Sequence, residues 1–109
     1  MRSQTMQAFG KSIVIAALLA TGATAAVAAD ASRGGELARR WCAACHLVAP
    51  DQATANASAA PFASIAEQSD FDARDLAISL LAPHPQMPDR GLSRDDAKDI
   101  VAYIRSLKK

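Results

Sequence analysis

One short motif constrains this chain more than any other feature of its sequence. Cys42 and Cys45 are the only cysteines among the 109 residues, and His46 follows the second one directly. Residues three apart on a helix lie on the same face, so the two thiols point the same way. The imidazole projects beside them, and the three side chains together can therefore hold a single group.

The C-x-x-C-H spacing is the attachment signature of c-type haem. Each thiol adds to a vinyl group on one edge of the porphyrin and forms a thioether, and the histidine reaches the iron from one side. We therefore predict that Cys42 and Cys45 attach one haem c covalently. We predict His46 as an axial ligand of the haem iron.

Three other kinds of site use cysteines at this spacing, and they stay open as alternatives. A thioredoxin-like redox dithiol requires a surrounding βαβ pattern, which the sequence does not show. A zinc site normally takes four ligands, whereas the motif supplies three, and His84 is the candidate for a fourth. A structural disulfide would add little stability by closing so short a loop.

The first part of the chain has the pattern of a secretory signal peptide. Residues 1–29 carry two basic side chains and no acidic one, and an apolar run at residues 13–20 precedes a tail of small residues. The Ala-Val-Ala sequence at 26–28 is a cleavage signal. We predict export to the periplasm, removal of residues 1–29, and one domain at residues 30–109. The alternative is an uncleaved anchor, at the lower limit of length for a membrane span.

The remaining 80 residues are few for a stable domain, and chains of this size usually need a disulfide, a metal or a cofactor. A large apolar cofactor would supply the missing core. Without the leader the chain has 10 basic and 11 acidic side chains, a net charge of −1. This balance argues against a nucleic acid as partner, since no basic excess is available to neutralise phosphates.

The apolar periodicity predicts an all-α chain with four helical segments and no strand. The first covers residues 32–44, and a short helical turn follows Pro61. The third begins after Asp72 and ends before Pro83, because proline disfavours helix in the residue before it. The last begins after Ser93, and both Asp72 and Ser93 are predicted N-caps.

The iron of a c-type haem usually takes a second axial ligand, and we predict Met87. It is the one methionine outside the leader, and it lies in a proline-rich loop at residues 82–92. The flanking prolines lower the entropy that is lost when the sulfur is held near the iron. A thioether ligand raises the reduction potential. His84 is the main competitor for this position, and a core-filling role is the alternative for the methionine.

These motifs resemble those of the small class I cytochromes c of Gram-negative bacteria. The resemblance covers essentially all of residues 30–109. It implies the small cytochrome c fold, in which the N- and C-terminal helices cross and two shorter helices surround one haem. The matching segments are G-x-x-L-A-x-x-W-C-A-A-C-H at 34–46, A-P-F at 60–62, P-H-P-x-M-P at 83–88 and D-I-V-A-Y-I-x-S-L at 99–107.

The resemblance also implies roles for residues outside the haem motif. Gly34 matches a glycine at which the first and last helices cross, and Tyr103 matches an aromatic residue that packs into that crossing. A proline carbonyl in the family accepts a hydrogen bond from Nδ1 of the proximal histidine. Pro61 is the residue that we assign to this role for His46, with Pro50 as the runner-up.

The function implied by the resemblance is that of a single-electron carrier and not an enzyme. We expect a monomer that docks transiently with redox proteins such as a dehydrogenase, oxidase or reductase. Many family members dock through a ring of lysines, but outside the leader this chain has only Lys98, Lys108 and Lys109. The alternatives are a ligand-binding or peroxidase-like protein with an open iron site, and a low-potential carrier with two histidine ligands.

Overall fold

The computed structural model describes residues 22, 27–56, 58–82 and 85–109. Over these residues the chain forms four helices and no strand, as the sequence predicts. The helices are α1 (Ala31–Trp41), α2 (Phe62–Ala66), α3 (Ala73–Leu81) and α4 (Arg94–Ser106).

Most of the predicted leader lies outside the described residues, and so do Pro83 and His84. No helix in the described part of the chain combines the length and the apolar character that a membrane crossing requires.

The helix boundaries follow from capping side chains that the sequence identifies. The Asp72 carboxylate accepts the N–H of Asp75 at 2.8 Å and begins α3. Ser93 and Asp96 form a reciprocal capping box at the start of α4, as predicted. The first helix ends at Trp41, three residues before the predicted end, because the haem motif continues as separate turns.

The closest contact between helices is the crossing of α1 and α4, where Gly34 lies against the backbone of α4. A Cβ atom at this glycine would lie 1.8 Å from the carbonyl oxygen of Asp99, so no side chain fits there. The ring of Tyr103 packs beside Gly35, where a Cβ atom would lie 3.1 Å from the ring. The predicted roles of Gly34 and Tyr103 in the crossing are confirmed.

The buried apolar core comes from α1, α2, α4 and the segment after the haem motif. Its members are Ala38, Val48, Ala49, Phe62, Ala66, Ala97, Ile100, Val101 and Ile104. In contrast, α3 has no buried residue, although Leu76 and Leu80 pack against the core from its edge. Leu81 continues the apolar pattern of Leu76 and Leu80 but is 42% exposed. The face of α3 is therefore only partly covered by protein.

Candidate haem site

The haem motif is a compact run of turns that continues directly from α1. The Cys42 N–H donates to the Ala38 carbonyl at 2.8 Å, and the His46 N–H donates to the Cys42 carbonyl at 2.9 Å. Both cysteines are half-buried and carry free thiols. The end of α1 therefore fixes the backbone from which both thiols and the imidazole project.

Burial raises the pKa of the Cys42 thiol to about 11, against a weaker opposing effect of the Arg90 guanidinium. The thiol is therefore protonated at neutral pH. Reactive dithiols and metal-binding cysteines instead sit where the thiolate is stabilised. A thioether sulfur carries no charge, so this half-buried position suits a covalent haem attachment better than a redox dithiol or a zinc site.

A backbone carbonyl fixes the orientation and the tautomer of His46. Its Nδ1 lies 2.6 Å from the carbonyl oxygen of Ala60, and the ring centroid lies 5.3 Å from that of Phe62. A carbonyl oxygen can only accept, so Nδ1 carries the proton and donates. Nε2 of the neutral ring is left with its lone pair. A metal-binding histidine is normally held in this way.

The hydrogen-bond acceptor is not the carbonyl of Pro61, and this prediction was wrong by one residue. Pro61 is the N-cap of α2, and its carbonyl accepts the Ile65 N–H at 3.1 Å. That carbonyl is therefore committed to the helix, and the preceding one, of Ala60, faces the imidazole. The runner-up, Pro50, is not the partner of the imidazole either.

Gln52 organises the loop that follows the motif, and the sequence analysis did not identify it. Its side-chain oxygen accepts the Val48 N–H at 2.9 Å. Its side-chain nitrogen lies 2.9 Å from the Ala43 carbonyl, 2.8 Å from the His46 carbonyl and 2.9 Å from the Thr54 carbonyl. One side chain thus ties both ends of the motif to the loop. The sequence shows a glutamine within a loop of small residues, but it does not indicate which groups the glutamine side chain contacts.

Cys45, His46 and Met87 line the same cavity, whose volume is about 380 Å³. His46 and Met87, which are 41 residues apart in the chain, are thereby brought to one site. The other lining residues are Asn56, Ser58, Ala59, Pro85, Gln86 and Pro88. The donor set and the free Nε2 of His46 fit a haem c. Within the described part of the chain, no three His, Cys, Asp or Glu side chains are grouped so that they could hold a metal ion.

Comparison with known proteins agrees with this chemistry. Residues 29–104 match the family described as cytochrome c oxidase, cbb3-type, subunit III. Cytochrome c-552 of Bradyrhizobium diazoefficiens is 49% identical over 98 residues, which cover 90% of this chain and 94% of that protein. No solved structure matches the chain.

Two further relatives are much longer proteins. They are cytochrome bc1 complex cytochrome c subunits of Corynebacterium efficiens and Corynebacterium diphtheriae, each 39% identical. The matches cover 72% and 73% of this chain but only 26% and 28% of those subunits. The likeness therefore concerns one cytochrome c unit within each of them.

The family match and the C-x-x-C-H motif together identify the cofactor of this protein as a haem c. The predictions of an all-α fold, of a covalently bound haem c and of the family itself are confirmed. The chain belongs to the small monohaem class I c-type cytochromes, and it is an electron carrier with a covalently bound haem c.

Proposed function

We propose that the protein is a periplasmic single-electron carrier in which His46 and Met87 are the two axial ligands of the haem iron. The observation that supports this proposal is that both side chains and Cys45 line the same cavity. A haem iron held in this way supplies a reversible one-electron couple. The protein is not an enzyme on this proposal, because neither axial position is open to a substrate.

His46 and Met87 have different tasks in such a carrier. The hydrogen bond from Nδ1 to the Ala60 carbonyl holds the imidazole in one orientation and makes Nε2 a stronger electron-pair donor to the iron. The Met87 thioether is a soft ligand, which favours the ferrous state and raises the potential. Met87 is half-buried, between two prolines that restrict its loop. Rigid ligands favour fast electron transfer, since little geometry has to change.

The near-infrared spectrum of the oxidised holoprotein tests the ligand pair. A methionine–iron bond gives a weak charge-transfer band in that region, which two histidine ligands or an open site do not give. We expect the band in the native protein and its loss in Met87→Ala, with a lower midpoint potential. Gln86 lines the same cavity, and Gln86→Ala should keep both the band and the midpoint potential.

Two results would overturn the assignment of Met87. Native protein that lacks the band, and whose reduced form binds carbon monoxide readily, has an open iron site. An unchanged potential in Met87→Ala would instead assign His84 as the ligand, and this predicts a bis-histidine carrier.

The periplasmic location rests on the leader at residues 1–29, with its basic start, apolar run and small-residue end. Fractionation of cells that express the full chain, followed by a haem stain, tests it. Holoprotein in the periplasmic fraction with the mass of residues 30–109 plus one haem supports the proposal. Holoprotein in the membrane fraction with the full mass would show an uncleaved anchor.

The expected partners are redox proteins that dock briefly with the monomer, over a small interface. Two relatives are subunits of a cytochrome bc1 complex, which makes a respiratory complex a suitable first choice for a binding assay. Lysines are few in this chain, so we expect its electron transfer to depend less on ionic strength than transfer through a lysine ring.

A further inference from the structure

The crossing of α1 and α4 contains a carboxylate that the haem site does not use. Asp99 is 7% exposed and is the one charged residue that is buried in the described part of the chain. Its side chain accepts the backbone N–H of Asp30 at 2.7 Å and a hydrogen bond from the Arg33 guanidinium. A buried carboxylate requires such partners, because the loss of water is expensive for a charged group.

The charges around Asp99 do not balance. Arg33 also pairs with Asp96, so two carboxylates of α4 share one guanidinium. The carboxylate of Asp30 adds a third negative charge, since it caps α1 by accepting the Arg33 N–H at 3.0 Å. The cluster of Asp30, Arg33, Asp96 and Asp99 thus contains three negative charges and one positive charge.

Asp99 is nevertheless held in its ionised form. Burial acts to raise the pKa of Asp99, but the hydrogen bond from the Asp30 N–H and the pairing with Arg33 outweigh it. The pKa of Asp99 therefore lies below its ordinary value. A second positive charge at the position of the Asp30 nitrogen would reduce the excess of negative charge in the cluster from two to one.

We propose that the leader is removed at the Ala29–Asp30 peptide bond, and that the new α-ammonium group of Asp30 forms an ion pair with Asp99. A leader peptidase supplies the hydrolysis. Water adds across the bond, the carboxylate leaves with Ala29, and the amine on Asp30 takes up a proton. The inference rests on the export that the proposed function includes.

The structure distinguishes this bond from the one before it. The Ala-Val-Ala signal at 26–28 is compatible with cleavage after Ala28, which would leave the charge on Ala29. But Ala29 lines a groove of about 930 Å³ between α3 and α4, together with four cationic side chains. These are Arg74, Arg94, Lys98 and Arg105. An ammonium group on Ala29 would join positive charges, whereas one on Asp30 lies against a carboxylate.

The ion pair gives the free energy of unfolding a defined pH dependence. An α-ammonium group has an ordinary pKa of about 7.7–8.0, and Asp99 raises that pKa in the folded protein. The stabilisation is complete below the unfolded pKa and is lost as the pH rises through the folded one. The charged groups around this nitrogen are Asp99, which accepts its N–H, the carboxylate of Asp30 itself, and Arg33 with its second partner Asp96. The four cations line the groove that the preceding residue, Ala29, also lines.

To test the ion pair, the full chain is expressed in a host that matures c-type cytochromes. The mass of the purified holoprotein identifies its first residue, and denaturant unfolding is followed between pH 6 and pH 10. A matched variant carries Gly-Ser inserted between Ala29 and Asp30, which moves the ammonium group away from Asp99. We expect a native first residue of Asp30. As the pH rises, the folding equilibrium constant of the native protein should fall relative to that of the insertion variant. The fall should be roughly tenfold for each unit by which Asp99 raises the pKa of the α-ammonium group.

A second comparison uses the reactivity of the α-amine toward an amine-specific reagent at neutral pH. We expect Asp99→Asn to raise the labelling rate of Asp30 several-fold, because the ion pair protects the ammonium form. Asp95→Asn removes an exposed carboxylate about one turn before Asp99 in α4 and should leave the rate unchanged.

The outcomes separate this inference from the carrier function. A first residue of Ala29, or equal pH profiles for the native and insertion proteins, would overturn the ion pair. In both cases the haem spectrum and the near-infrared band still test the carrier independently. An uncleaved leader would overturn the cleavage and the ion pair together, without touching the haem ligands.

Discussion

The two sides of this small domain are built differently. On one side α1 and α4 approach so closely that Gly34 leaves no room for a Cβ atom, and Asp99 ties both helices to the same ion cluster. On the other side α3 has no buried residue, and Ile78 is 56% exposed. Direct packing between α1 and α4 thus holds the first side together. On the second side, Leu76 and Leu80 of α3 pack against the core only from its edge.

The difference indicates where the cofactor stabilises the fold. The haem motif and the Met87 loop border the cavity, and the only parts of α3 that reach the core are Leu76 and Leu80 at its edge. A haem that binds there would bury apolar surface of the haem motif and of the Met87 loop, whereas the exposed Ile78 and Leu81 of α3 line the separate groove beside α4. We therefore expect α1 and α4 to be the more stable unit, the Met87 loop to depend on the haem, and α3 to be less protected than α1 and α4 because so little of it is packed.

The largest expected effect comes from removing both thioether bonds. Cys42→Ala combined with Cys45→Ala should abolish the folded holoprotein, because the core of so short a chain depends on the cofactor. Circular dichroism of the purified double variant measures the loss, and hydrogen exchange should show α3 unprotected. A well-folded double variant without haem would break the comparison, since both sides would then be self-sufficient.

The next effect concerns the crossing itself. Gly34→Ala should lower the free energy of unfolding by about 3 kcal/mol or more, because the new Cβ would meet a backbone oxygen that cannot move alone. Gly35→Ala is the matched control. Its Cβ would meet the ring of Tyr103 at 3.1 Å, which can shift slightly, so we expect a change within about 1 kcal/mol. If the two substitutions lower the free energy of unfolding of the holoprotein equally in denaturant, the crossing is not the rigid part of the domain.

A smaller effect is expected at Gln52, in the loop that follows the haem motif. Gln52→Ala leaves the Val48 N–H and three carbonyls without their partner and should cost about 1–3 kcal/mol of stability. The His46 backbone would be less restrained, so we also expect a shift of the midpoint potential. Gln68→Ala removes an exposed glutamine and should change neither quantity. An unaltered potential in Gln52→Ala would limit its role to the loop.

The smallest effects on stability are expected at two N-caps, one at the start of α3 and one at the start of α4. Ser93→Ala and Asp72→Ala each remove a capping side chain, which is worth about 1 kcal/mol. We expect Ser93→Ala to lower the global free energy of unfolding. Asp72→Ala should mainly speed hydrogen exchange within α3. If exchange in α1 and α4 accelerates equally in both variants, the domain unfolds as one unit.

The sequence was sufficient for features that depend on local spacing. The haem motif and the caps at Asp72 and Ser93 are recognised from a few neighbouring residues, and the role of Gly34 follows from the resemblance of its segment to the family. The structure agrees with both caps and with Gly34. The first helix was predicted three residues too long, since the periodicity of its apolar face does not reveal where the motif turns begin.

Features that depend on how distant segments meet could not be predicted. The choice between the carbonyls of Ala60 and Pro61 depends on which one the start of α2 already uses. The partners of Gln52 and the contact between Asp30 and Asp99 arise only when the loop and the helices are assembled. Leu81 matched the apolar pattern of α3, yet that pattern does not say how much of the face the chain itself covers.

The hydrogen bond between His46 and Ala60 has a consequence for how this family of sites responds to mutation. Its acceptor is a main-chain atom, so no exchange of side chain at position 60 can remove it. A mutational scan would score Ala60 as tolerant, although its carbonyl orients the proximal histidine. Sensitivity should appear instead at Pro61, whose fixed φ sets the direction in which the preceding peptide points. Tolerance at one position can thus conceal a contact whose control lies one residue away.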